Sequence, residues 1–86
     1  MTDNNINIRT AILKNDVFDK CKIVARNKKY YFLEDLDKNT YYDIVMPKEN
    51  CGNKTYKLND MISVQVDGIN IAPDGVPGVF VRPKVA

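Results

Sequence analysis

Basic side chains crowd one short segment of this chain: Lys20, Lys22, Arg26, Lys28 and Lys29, with only Asp19 beside them. Positive charge at that density suits a polyanion, because lysine and arginine neutralise phosphates and release the ions condensed on them. The plainer reading is a solvated basic hairpin. An acidic run, Glu34, Asp35 and Asp37, comes directly after, and thirteen basic against eleven acidic residues leave a net charge of +2. That balance neither demands nor excludes a nucleic-acid partner.

Few catalytic chemistries are open. The chain has no histidine, which removes the usual general base at neutral pH, the Ser-His and Cys-His nucleophile pairs and the commonest zinc ligand. Cys21 and Cys51 alone cannot build a tetrahedral zinc site of the usual kind. The glycines Gly52, Gly68, Gly75 and Gly78 stand in turn-like contexts, not in a phosphate-binding loop. Glu34, Asp35, Asp37 and Asp43 lie close together, but they flank an expected hairpin turn, where acids are usually solvated. No catalytic residue, metal or cofactor is assigned, and the expected protein is not an enzyme. Cys21 reads as a small core residue, and Cys51, in an Asn-Cys-Gly-Asn turn, as exposed. Both are expected to be reduced thiols.

The 86 residues suffice for one domain. Residues 1–10 are read as a flexible N-terminal arm and 11–86 as a single small β-barrel domain. No stretch approaches the roughly 20 apolar residues of a membrane span, and the start lacks a hydrophobic export segment. A cytoplasmic protein without a membrane partner is expected.

The elements that must position the basic cluster are strands. The sharpest is Met61–Val66, where Ile62, Val64 and Val66 alternate with Met61, Ser63 and Gln65. From Lys20, a first strand sets Cys21, Ile23 and Ala25 on an apolar face and Lys20, Lys22, Val24 and Arg26 on the other. Asn27-Lys28-Lys29 turns into Tyr30–Leu36, whose aromatics suit a pleated surface. If Tyr31 and Leu33 face inward, Tyr30 and Phe32 face outward; the opposite register reverses this. Asp37–Thr40 is a turn in which Asn39 can adopt a left-handed conformation. Tyr41–Met46 makes a third strand, ended by Pro47, and 47–55 is a polar loop. Residues 68–78 read as turn-rich, and Val79–Arg82 as a last strand. Ahead of them, Arg9–Asp19 reads as a short helical turn or an irregular lead-in. The fold class is therefore mainly β, a small five-stranded barrel. An SH3-like barrel and an open sheet packed by one N-terminal helix are the alternatives.

The run Tyr56-Lys57-Leu58-Asn59-Asp60-Met61-Ile62-Ser63-Val64-Gln65-Val66, followed by Gly78-Val79-Phe80-Val81-Arg82, resembles the fourth and fifth strands of OB barrels. In particular it resembles the RNA-binding type repeated in ribosomal protein S-one and found in translation initiation factor one. Asn59 stands where that family usually has glycine; asparagine is the next-best residue at positive φ. The resemblance spans roughly residues 20–84 and implies a non-catalytic module for single-stranded nucleic acid, RNA before DNA. On that analogy Tyr30, Phe32 and Tyr41 would stack bases, with Tyr42 beside them. Lys22, Arg26, Lys28, Lys29 and Arg82 would meet phosphates.

A second class fits the same residues: a small protein-interaction module, encoded by a phage or mobile element, that docks on and regulates a larger protein machine. Tyrosine supplies contact area with a polar tip, as interface residues often do, and residues 73–78 would serve as a recognition loop.

Overall fold

A computed structural model describes Ile12 and residues 14–84. The expected N-terminal arm, 1–10, lies outside the described residues, as do residues 11 and 13 of the lead-in. Five strands, β1 (Val17–Arg26), β2 (Tyr30–Asp35), β3 (Asp43–Pro47), β4 (Met61–Ile71) and β5 (Pro77–Pro83), close into a barrel in the order β1-β2-β3-β5-β4. The pairs are antiparallel except β3 with β5, which run parallel. This order is compatible with an OB-like barrel. A 3₁₀ turn, Lys48–Cys51, comes after Pro47.

Alternation decides which residues fill the interior. Val64 and Val66 of β4 are fully buried and Ile62 packs against them; Tyr31 and Leu33 of β2 also point inward, as do Ile44 and Met46 of β3 and Val79 and Val81 of β5. The inward register of Tyr31 and Leu33 sends Tyr30 and Phe32 to the outer face.

The first strand departs from strict alternation at two places. Its pairing with β4 slips between Phe18 and Cys21, so both side chains enter the core although two residues separate them. Ser63 covers the irregularity, its hydroxyl donating to the Asp19 carbonyl at 3.1 Å. The pairing with β2 slips between Ile23 and Ala25. One extra residue reverses the facing of the strand beyond it, so Ala25 is exposed and not on the apolar face with Cys21 and Ile23.

Other boundaries also move. The first strand begins at Val17, after a turn at Lys14–Asn15, so the described lead-in is irregular and not helical. The third begins at Asp43, leaving Tyr41 and Tyr42 in a bend. The fourth runs on through Gly68 to Ile71, where a turn-rich stretch is expected; a register slip between Val66 and Gly68 lets it bend and continue along β5. In the β2–β3 turn the left-handed residue is Lys38 (φ 57°), not Asn39. Asn59 does take the left-handed conformation (φ 75°). Its amide donates to the Ile23 carbonyl at 2.7 Å, while Asp60 closes the turn by accepting from the Lys57 amide at 2.8 Å.

Asp35 corrects the expectation of solvated acids. It is 6% exposed, and its carboxylate accepts from the amides of Asp37 at 3.0 Å and Asn39 at 2.8 Å. It thereby organises the whole turn. Cys51 also departs from expectation: it is half-buried against the core, its thiol 3.8 Å from the Pro47 carbonyl. Cys21 is a fully buried core residue.

Asp35→Ala strips two amides of a charged acceptor and lowers stability by about 2 kcal/mol, read as a lower urea midpoint; Asp35→Asn, which keeps one acceptor oxygen, loses less. Burial pushes the Cys21 thiol up from about 9 to about 12, with Asp35, Asp37 and Asp19 adding to it. The folded thiol then keeps its proton at a pH where the unfolded one has lost it. Its contribution to stability is complete below about pH 9 and is lost as pH climbs towards 12. Urea unfolding across that range falls less steeply for Cys21→Ala than for the parent, although the variant starts lower at neutral pH.

Candidate nucleic-acid interface

Two buried tyrosines, Tyr31 and Tyr56, meet in the core. Their rings meet edge to face at 5.6 Å between centroids, and the Tyr31 hydroxyl accepts from the buried Tyr56 amide at 3.0 Å. Burial pushes the Tyr56 phenol up, reinforced by Cys51, Tyr31 and Asp60. Burial also raises the Cys51 thiol, against the opposing pull of Lys48. The ammonium groups of Lys48 and Lys54 lie over the two rings, at 5.1 Å from Tyr31 and 5.8 Å from Tyr56.

With Tyr31 anchored inward, the outer face acquires a row that can be followed strand by strand. Ala25 pairs with Phe32, Phe32 with Val45, Val45 with Phe80, and Phe80 with Gly68. Val45 is fully buried although its neighbours Ile44 and Met46, not Val45 itself, belong to the inner core. The outer face therefore carries its own small apolar centre. Gly78 makes this possible: a Cβ there would meet the Ala72 Cβ and the Asp43 carbonyl oxygen, each at 3.2 Å. The missing side chain lets the β4–β5 loop fold down onto the sheet.

Beside this row lies a hollow lined by Lys28, Lys29, Tyr30, Lys48, Asn70 and Phe80, with Pro47 and Glu49 completing it. The β1–β2 turn is held by Asn27, whose side-chain oxygen accepts from the amides of Lys29 at 2.9 Å and Tyr30 at 2.8 Å. The Lys48 amide donates to the Lys29 carbonyl at 2.8 Å, which draws the 3₁₀ turn against that hairpin. Tyr30 and Phe32 lie next to each other, ring centroids 6.3 Å apart. Three lysines against one glutamate thus line a strip of aromatic surface, Lys48 with its ammonium turned towards the Tyr31 ring. Such a strip offers π-faces for bases and cations for phosphates.

The sequence-derived candidates divide between different environments. Lys28, Lys29, Tyr30 and Phe32 come together on this face. Lys22 lies farther along the outer face of β1, opposite Glu34 and Met61. Tyr41, 83% exposed, stands in the bend before β3, and Tyr42 packs against the core. The Arg26 guanidinium donates to the Tyr56 carbonyl at 2.9 Å. Arg82 forms an ion pair with Asp67 and donates to the Asn15 side-chain oxygen at 3.0 Å. Phe80, Lys48 and Asn70 are not among the sequence-derived candidates. Phe80 carries a readable signal, since inward valines on either side of it send its ring outward. Lys48 and Asn70 arrive only through strand pairing distant in sequence.

No protein-family model, curated protein or solved structure matches the chain.

The partners of Arg82 make it a fastening between β5, the β4 bend and the residues before β1. Arg82→Ala costs about 0.5–1 kcal/mol, as expected for an ion pair open to solvent on one side. A double-mutant cycle with Asp67→Ala in urea denaturation recovers most of that as coupling.

Proposed function

We propose that the protein is a non-catalytic module for single-stranded nucleic acid, RNA in the first place, of the OB type seen in ribosomal protein S-one and translation initiation factor one. The observation that carries this reading is the joining of Tyr30, Phe32 and Phe80 on one outer face with Lys28, Lys29 and Lys48 around them. The strand order supports it, because the ligand face of such barrels lies on the second and third strands between the first and last hairpin loops. Bases stack on the half-buried rings of this face, each contributing about 1–3 kcal/mol, while the lysines meet the backbone. Arg26 and Arg82 are left out of the contact set because their guanidinium groups already hold the barrel together.

The test is fluorescence anisotropy with a labelled mixed-sequence single-stranded RNA. Three phosphate contacts give a slope of about −2 in log affinity against log salt for a single strand. Affinity therefore drops about 20-fold over a fourfold rise in salt. Tyr30→Ala and Phe80→Ala weaken binding by about 1–3 kcal/mol each. Lys29→Ala weakens it and reduces the salt slope, whereas Arg82→Ala leaves affinity within about twofold. Absence of binding at low salt removes the reading in favour of the protein-interaction module.

A further inference from the structure

Next to the lysine-bordered hollow, on the far side of Phe32, the outer face holds a second concavity of about 490 Å³. Its floor is Val45 with Ala72, both buried outside the barrel core. Phe32, Val24 and Pro73 line it as well. The charged groups lining it are Asp43 and Asp74, both exposed carboxylates. The two concavities therefore differ in sign. Cations border one, anions the other, and the aromatic row lies between them.

That separation constrains what a bound strand can do. Phosphates are attracted by the lysines and repelled by the aspartates, so the strand is disfavoured from laying its backbone along the second concavity. It can place a base there. An apolar floor beside an aromatic ring suits a base's flat face. Asp43 lies two residues from Val45 on the same side of β3, about 7 Å along the strand, at the edge of a base resting over Val45.

Both carboxylates have oxygens to offer. Among the described residues, the Asp43 side chain makes no hydrogen bond or ion pair. Asp74 accepts one bond, from the Val76 amide at 3.2 Å through Oδ1, which orients the group and leaves Oδ2 open. A carboxylate is acceptor-only, so it requires a donor on the base edge. Cytosine presents its N4 amino group there; uracil presents the O4 acceptor at the same place.

Resting on the nucleic-acid reading above, we infer that this concavity is a base-selective subsite that takes a base with an exocyclic amino group and rejects uracil. The hydrogen-bond complementarity of Asp43 and Asp74 to an amino group, together with the neighbouring lysine-bordered hollow across the Val45–Phe80 pair, favours that occupant over a basic peptide side chain. A peptide would find no use for the three lysines beside it.

The experiment compares labelled oligocytidylate and oligouridylate of equal length, about twelve nucleotides, by anisotropy at slightly alkaline pH and low salt. These two pyrimidines have the same size and differ at the 4-position. The parent protein binds the cytidine strand about 10-fold more tightly, the factor expected of one good amino–carboxylate pair. Asp43→Ala and Asp74→Ala each narrow that ratio, weakening the cytidine strand and sparing or strengthening the uridine strand. Asp43→Asn, which keeps the shape and loses the charge, gives an intermediate ratio. Equal binding of both strands by the parent, or a ratio unchanged in both alanine variants, overturns the subsite and leaves the general reading standing. Failure of both strands to bind at low salt overturns the general reading, and the subsite falls with it. Displacement of a bound strand by a lysine-rich peptide that does not act on Asp43→Ala assigns the concavity to a peptide and also overturns it.

Discussion

The contact between Tyr31 and Tyr56 fixes more of this molecule than any other single interaction. A tyrosine inside a small barrel must satisfy its hydroxyl, since an unpartnered polar group in that environment is costly. Here the hydroxyl meets a backbone amide that also needs a partner, that of Tyr56. Two liabilities cancel across a long sequence separation, and the edge-to-face packing of the rings adds to the match. The consequence for β2 is absolute in one respect: a slip of one residue would drive Tyr30 and Phe32 into the core and expel Tyr31 and Leu33. The outer aromatic face exists because the inner tyrosine is pinned.

The second organising feature is the layer outside the barrel. A chain of this size has a limited interior, yet Val45 and Ala72 are buried without belonging to the inner core. The β4–β5 loop lies over the sheet instead of projecting from it, which Gly78 permits by leaving space beneath Ala72. Concave surface is thereby made from a convex barrel wall. The β1–β2 hairpin and the 3₁₀ turn shape the other concavity through a backbone bond between Lys48 and Lys29. Neither recess depends on a long flexible insertion.

Period-two alternation made much of this readable in the chain. Ile62, Val64 and Val66 face the core as their spacing implies, and Asn59 adopts the conformation that its place before Asp60 requires. Where alternation is broken, local reading fails. The bulge after Ile23 turns Ala25 outward, and the one after Val66 lets β4 continue past a glycine that reads as its end. Those irregularities are set by the curvature of closure, which involves strands remote in sequence. Asp35 shows the same limit for polar groups, because nothing nearby reveals that its carboxylate is buried beneath its own turn. In the candidate interface, Tyr30, Phe32, Lys28 and Lys29 are consecutive enough to be found by inspection. Lys48 joins them only through the pairing of Tyr30 with Pro47, and the arginines are withdrawn by partners that composition does not reveal.

The parallel pairing of β3 with β5 bears on how the chain is made. Every other neighbouring pair is antiparallel, and β1, β2 and β3 succeed one another as a meander that can assemble as it leaves the ribosome. The barrel cannot shut until β5 emerges, because that strand alone joins β3 to β4. Before then β3 presents an unpaired edge carrying Ile44, Val45 and Met46, an apolar run with no charge inside it. During synthesis this edge is open to pairing with another copy. The time for which it stays open is set by translation of the segment from Lys48 to Pro83.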